Sequence, residues 1–301
     1  MSSTPTEDST GLRSKLTVLD LQEKCDRGEP IAMLTAYDFP TAQAADRAGI
    51  DVLLVGDSLA MVVLGHPNTL SVTMDEMLHH ARAVSRGARA PLLVGDMPFL
   101  SYQADTAEAV RNAGRFLKDA GMDAVKLEGG REFAPVVEAI VRAGIPVQGH
   151  IGLMPQSLRK QGGFKVQGRT AADALGLLDD AIALQEAGCF SVVLEGVPAR
   201  LAGFITERLR IPTIGIGAGA GTDGQVLVVN DVLGLSTRVP RFAKGYANLG
   251  QAMVEAMTAF RRDVTERAFP TSEHAYGLPD DEWRAFLASV GGHLRAVPAA
   301  R

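Results

Sequence analysis

The chain has 301 residues, a formal net charge of -5 and a pI near 5.7, with 46% apolar residues and two cysteines. That is enough for one large domain with a well-filled core, in the size range where α/β barrels fold as a unit. The acidic balance, with no face or tail that concentrates Lys and Arg, argues against a nucleic-acid binder, and no run nears the ~18 apolar residues of a membrane span.

Cys25 and Cys189 have no Cys or His partner at metal-ligand spacing, so neither zinc nor a disulfide framework is supported. Residues 1–14 are polar and acidic, without an Arg-rich amphipathic pattern or an apolar targeting segment. They read as a disordered tail, which leaves the cytoplasm as the default location.

In chain order, residues 16–27 carry Leu16, Leu19, Leu21 and Cys25 at helical spacing and stop at Gly28, a helix that precedes the barrel. Residues 31–37 are the first strand and 38–49 an Ala-rich helix. The run DVLLV at 51–55 suits a strand buried on both faces, and it ends abruptly in Gly-Asp-Ser. Residues 73–87 form a helix with Thr73 and Glu76 at capping-box spacing. The strand at 90–96 ends in Gly-Asp again. A helix at 105–121 starts with the same D-x-x-E spacing and feeds the strand MDAVKLEGG at 122–130. After a helix at 131–144 comes IPVQGHIGL at 145–153, closing on His150.

Residues 152–169 lack a period and are punctuated by glycines; they are a lid or a plain excursion, with Phe164 and Lys165 as the lid candidates. Helices at 170–188 and 198–210 flank a strand at 190–196. Strands at 211–219 and 226–235 and a last barrel helix at 245–269 follow. Eight alternations with short connections predict a parallel α/β sheet. A doubly wound sheet should carry its phosphate-binding fingerprint after the first strand, where none occurs, so the closed barrel is preferred. The fold expected is a (β/α)8 TIM barrel over 15–269, with an N-terminal helix and a C-terminal helical extension over 270–301.

Four strand ends carry carboxylates: Asp57, Asp96, Glu128 and Glu195. Any one alone reads as a helix cap or a solvated loop acid. Four at one barrel mouth repel each other unless a cation binds or some hold protons. Oxygen-only ligands select a hard cation, magnesium being the common choice. Lys126 and Glu128 are two apart on one strand and project to the same side, so Lys126 is either half of a buried ion pair or an anchor for a substrate carboxylate. His150 is either a satisfied core histidine or a member of the site. GIGAGAGTDG after the seventh strand gives a weak G-x-G-x-x-A match and reads as a close-approach loop or an anion nest. Asp231 and Lys244 read as structural or solvated. A metal on two acids, a cationic anchor and a separate base, Glu195, suit proton removal next to a carbonyl: Mg-dependent enolate chemistry on a small oxo acid.

TAYDFPTA, LLVGDSLAMVVLGHPNTLSVTMDEM, LLVGDMPFLSY, VKLEGG, VQGHIGLMPQS, GGFKVQGR, LEGVP and IGIGAGAGTDGQVLV occur in series between Lys15 and Leu249. Together they resemble the ketopantoate hydroxymethyltransferase family. The resemblance implies a Mg2+-dependent TIM-barrel enzyme that moves a hydroxymethyl group from 5,10-methylenetetrahydrofolate to 3-methyl-2-oxobutanoate, giving 2-dehydropantoate. It places Asp57 and Asp96 on the metal with Glu128 completing the set through water. Asp57, Ser58, Asp96 and Lys126 would contact the oxo acid, with Glu195 as proton acceptor and His150 in an accessory position. It also implies a homodecamer. Two rivals stay open: a related oxo-acid carbon-carbon lyase of the isocitrate lyase or phosphoenolpyruvate mutase kind, whose lid cysteine is missing from 152–169, and a non-catalytic barrel that binds a small anion.

Overall fold

A computed structural model describes residues 13–163 and 165–290. Most of the expected N-terminal tail, the lid candidate Phe164 and the end of the C-terminal extension lie outside the described residues. The chain forms two compact units, Met1–Ala247 and Asn248–Arg301.

The first unit opens with α1 (Val18–Asp26), started by a reciprocal capping box between Thr17 and Asp20. It continues with β1 (Ile31–Thr35), α2 (Phe39–Arg47), β2 (Val52–Val55), the single turn α3 (Leu59–Val62) and α4 (Met74–Gly87). Next come β3 (Leu92–Asp96), α5 (Thr106–Ala120), β4 (Ala124–Glu128), α6 (Ala134–Arg142) and β5 (Val147–Gly152). A 3-10 turn at Pro155–Ser157 leads into α7 (Leu158–Gln161), then α8 (Ala171–Glu186), β6 (Ser191–Glu195), α9 (Ala199–Thr206), β7 (Thr213–Ile216), β8 (Gly224–Leu227) and α10 (Val229–Leu233). The expected capping box of Thr73 with Glu76 starts α4, and Asp105 caps α5 by accepting from the Glu108 N–H. Each such cap is worth about 1 kcal/mol.

All eight strands are parallel and pair in chain order, and β8 closes on β1 through registers such as Met33 with Val226. This is the TIM barrel expected from the alternation, and the β8–β1 pairing rules out the open sheet. One parity of the strands fills the barrel: Ile31, Met33, Val52, Leu54, Leu92, Val94, Ala124, Val193, Ile214 and Val226 form one buried cluster, with Leu21 of α1 packed into it. The other parity, including Leu53, Val55, Leu93, Val125, Leu127, Val192 and Leu194, packs against helix residues such as Met77, Phe116, Ile140 and Leu184. Alternation then carries Asp96, Lys126, Glu128 and Glu195 inward, in step with Val94, Ala124 and Val193.

Gly95 sits on the outward parity, where a Cβ would come within 2.3 Å of the buried Phe116 ring of α5. The glycine of the Gly-Asp strand end is therefore a packing requirement. Gly95→Ala is expected to cost about 1–3 kcal/mol in urea unfolding, as overpacked sites do.

The eighth strand differs from its expected position. It starts at Gly224 and stops at Leu227, and the following Val229–Leu233 is helical. A Cβ at 224 would lie 2.6 Å from the Ile31 carbonyl, so the glycine lets β8 lie beside β1. The Thr35 hydroxyl at the end of β1 accepts from the Val229 N–H at 2.9 Å, which starts the helix there. The glycine-rich loop after β7 approaches α9 closely: Gly219 has φ +80°, and a Cβ there would lie 2.4 Å from that of Ala199.

Both cysteines are free. Burial and the neighbouring Asp223 push the half-buried Cys25 thiol up to about 11, and burial pushes Cys189 up to about 12. Raised thiols stay protonated and unreactive. Native protein at pH 8 is expected to resist a disulfide reagent that titrates both cysteines once denaturant is added; rapid labelling of the native chain would contradict these surroundings.

The second unit holds α11 (Leu249–Thr265), a 3-10 turn at Ser272–His274 and α12 (Asp280–Val290). Residues 245–269, read from sequence as the last barrel helix, thus contribute α11 to a separate compact unit. Met253, Met257, Phe260 and Val264 lie on one face of α11 by their spacing and are exposed. No helix of the described residues is long and apolar enough to cross a membrane.

Candidate active site

Parallel strands present all their carboxyl ends on one face of a barrel, where loops can build a site on a rigid base. The candidate residues read from sequence all line one cavity of about 490 Å3 on that face. Asp96, Glu128 and Glu195 are the last residues of β3, β4 and β6, and Asp57 lies two residues beyond β2. His150 is on β5, opposite Glu128 in the β4–β5 register.

The acids are tightly held. Lys126 Nζ donates to Asp96 Oδ1 at 2.6 Å, and the Asp57 N–H donates to Asp96 Oδ2 at 3.1 Å. The Lys126 and Asp96 side chains are 5% and 2% exposed, so this pair is fully desolvated. Burial alone would lower the lysine, but Asp96, Glu128 and Asp57 outweigh it and hold the ammonium above its ordinary range. Burial and then the charge of Asp96 push Asp57 up to about 7. Burial likewise pushes Glu128 well above the carboxylate range, despite the opposing Lys126. One lysine among these acids leaves negative charge to be neutralised, which the protein alone does by holding protons.

His150 Nε2 lies 3.2 Å from Glu195 Oε2, and Nδ1 lies 3.6 Å from Glu128 Oε1. Neither contact is aligned as a hydrogen bond, and both ring nitrogens are buried without a partner. Burial, followed by the charge of Lys126, holds His150 below the usual imidazole range, so it is neutral at pH 7. Glu195 is the most accessible of the four acids, and His150 is its ion-pair-distance neighbour among the described residues. Ser58 Oγ is 2.8 Å from Tyr37 Oη.

Sequence reasoning missed several polar groups here. Thr69 Oγ1 is buried without a partner and lines the cavity. Asp231, read as structural or solvated, is 6% exposed and also lines it. Gln156 bonds to Asp57 and Tyr102 bonds to Gln156 and the Glu128 backbone, and the MPQS and LSY stretches were the only sign of them. The segment 152–169 supplies Leu153, Pro155, Lys165 and Val166 to the cavity wall.

Among the described residues, no three His, Cys, Asp or Glu side chains already converge as a metal cage. The arrangement nevertheless suits a hard cation: the donors are carboxylate oxygens in excess of local positive charge, with unpartnered polar atoms around them.

Residues 15–272 match the family model described as ketopantoate hydroxymethyltransferase. The chain belongs to the ketopantoate hydroxymethyltransferase family. Within that family it is 60% identical over 253 residues to the 3-methyl-2-oxobutanoate hydroxymethyltransferase of Syntrophobacter fumaroxidans, covering 84% of this chain and 90% of that one. It is 53% identical over 290 residues to the protein of the same name from Nitratidesulfovibrio vulgaris, covering 96% and 94%. Among solved structures it is similar to a phosphonopyruvate hydrolase (TM-score 0.57, 14% identity, 93% of this chain and 99% of that one). A phosphoenolpyruvate phosphomutase from Streptomyces platensis subsp. rosaceus gives a TM-score of 0.56 at 18% identity, covering 93% and 100%. At such identities these two structures share the fold alone with this ketopantoate hydroxymethyltransferase family member.

Proposed function

We propose that this chain is a Mg2+-dependent 3-methyl-2-oxobutanoate hydroxymethyltransferase, which takes the one-carbon unit from 5,10-methylenetetrahydrofolate and forms 2-dehydropantoate by way of an enolate. The observation that carries this reading is the separation of roles in one cavity. Asp57, Asp96 and Glu128 are buried, with Asp96 bound to Lys126 and to the Asp57 N–H and with Gln156 tying Asp57 to Glu128, whereas Glu195 stands apart with the His150 imidazole 3.2 Å away.

Asp57 and Asp96 would hold the cation directly, with Glu128 acting through water. When bound, the cation withdraws electrons from the 2-oxo group and the neighbouring carboxylate, which makes the C3 hydrogen more acidic. Lys126 fixes the substrate carboxylate by charge, and Ser58 supplies a hydroxyl to the same group. Glu195 accepts the C3 proton. His150, neutral and 3.2 Å away, limits how far the Glu195 carboxylate can swing. The apolar wall, with Val193, Ile216, Val226 and Phe242, excludes water that would quench the carbanion, and Lys165 and Arg238 give the cavity lining positive charge suited to the donor's glutamyl carboxylates. The exposed face of α11 supports self-association, for which the family resemblance implies a decamer. Sedimentation of the intact chain tests that part.

The chemistry is tested by hydrogen-deuterium exchange at C3 of 3-methyl-2-oxobutanoate, followed by NMR without folate. Exchange is expected with Mg2+ and should vanish with a chelator. Exchange that ignores Mg2+ would favour the non-catalytic anion-binding barrel, with solvent doing the chemistry.

A further inference from the structure

Gln156 sits in the turn Pro155–Ser157 and is 6% exposed, an unusual place for a long polar side chain. Both ends of its side-chain amide and its main-chain N–H are engaged. Its Nε2 donates to Asp57 Oδ2 and to the Met97 carbonyl, both at 3.0 Å. Its Oε1 accepts from Gln103 Nε2 at 3.1 Å and faces Tyr102 Oη at 3.0 Å. Its backbone N–H donates to Glu128 Oε2 at 3.0 Å. Tyr102 Oη in turn accepts from the Glu128 N–H at 3.1 Å and shares its single proton between Gln156 Oε1 and the Glu128 carbonyl, 2.9 Å away.

This pattern fixes the amide's orientation. A flipped amide would set its oxygen against Asp57 and the Met97 carbonyl, and its nitrogen against the Gln103 amide donor, losing bonds at both ends in a buried place. One residue thereby grips two carboxylates from different strand ends: Asp57, just beyond β2, through its side chain and Glu128, the last residue of β4, through its main chain. It leaves Asp57 Oδ1 and Glu128 Oε1 as the less committed oxygens. We propose that Gln156 is a positioning residue which pre-sets Asp57, a direct oxygen donor to the divalent cation, together with Glu128, which reaches it through water, an inference that rests on the cation reading above. Hydrogen-bonded partners of metal ligands commonly contribute about 10- to 100-fold in metal affinity.

The test uses Mn2+ as a spectroscopic probe, following the free-ion EPR signal during titration of the full-length parent, Gln156→Met, Gln156→Asn and Asp57→Asn. Circular dichroism of each protein in chelator verifies the fold. Gln156→Met keeps the volume and removes the amide, and is expected to weaken Mn2+ about 10- to 100-fold. The Mg2+ concentration for half-maximal C3 exchange should rise by the same factor, while exchange at saturating Mg2+ falls far less than the affinity does. If Gln156→Met does not fold, Gln156→Asn, which keeps the amide but shortens its reach, decides the matter on the same readouts. Mn2+ affinity within threefold of the parent in a folded variant would overturn the proposal, as would a loss of exchange that saturating metal leaves unrestored. Asp57→Asn separates the two readings: if it binds Mn2+ as the parent does, the cation site itself is wrong and the proposal falls with it. If it loses Mn2+ while the Gln156 variants keep it, the proposal alone falls.

Discussion

Glu195→Gln is expected to slow both C3 exchange and hydroxymethyl transfer by about 10^3-fold or more, the range for loss of a general base. The amide is isosteric and can still contact His150 Nε2, so the fold and the KM for the oxo acid should change little. Mg2+ binding should be retained, because Asp57, Asp96 and Glu128 form a network of which Glu195 is not part. The signature is therefore a loss in kcat with metal and substrate affinity preserved. If exchange stays within tenfold of the parent, the base is elsewhere, and His150, 3.2 Å away, is the next group to test.

Lys126→Met should harm both stability and activity. The substitution leaves Asp96 with no cation at 2.6 Å in a place where Asp57 and Glu128 are already burdened by burial and by the charge of Asp96. Breaking one side of a buried pair costs about 3–5 kcal/mol, because the partner charge stays behind. The sign with pH follows from proton uptake. Burial and Asp96 already push Asp57 up to about 7, and without the ammonium beside it the folded variant holds protons that the unfolded chain releases above about pH 4. Stability then falls as pH rises. Urea unfolding should show a larger deficit at pH 8 than at pH 6, with Mg2+ returning part of it at pH 8. At saturating Mg2+ the variant should still lose about 10^2-fold in kcat/KM for the oxo acid, the value of a charge-assisted contact. A stable variant with an unchanged KM would assign Lys126 to neither role.

The barrel was legible because its two signals are local. Branched apolar runs such as DVLLV and PLLVGD mark strands buried on both faces, and Thr73 or Asp105 marks the helix starts between them. The period of two then places Lys126 and Glu128 on one side without any knowledge of neighbours. What was not legible depends on pairing across distance. The run VLVVNDVLGL suits a strand throughout, and only its register with β1 and the Thr35 hydroxyl divide it into strand and helix. The helix within 245–269 has ordinary amphipathic spacing, which says nothing about the unit it joins. Gln156 meets Asp57 from 99 positions away, so no local pattern could assign it a partner.

Closure of β8 on β1 pairs the strands that are made furthest apart in time. β1 is the first barrel strand to be made, yet its second neighbour is the last. Through most of translation its outer ladder of N–H and C=O groups has no partner, the condition under which strands of separate chains join edge to edge. By the time β5 emerges, Asp57, Asp96, Lys126 and Glu128 have all been made, whereas Glu195 has not. The crowd of like charges is therefore complete in the chain before the strands that close the ring. The Lys126–Asp96 pair joins adjacent strands β3 and β4, so it is a neutralisation that does not depend on closure of the ring.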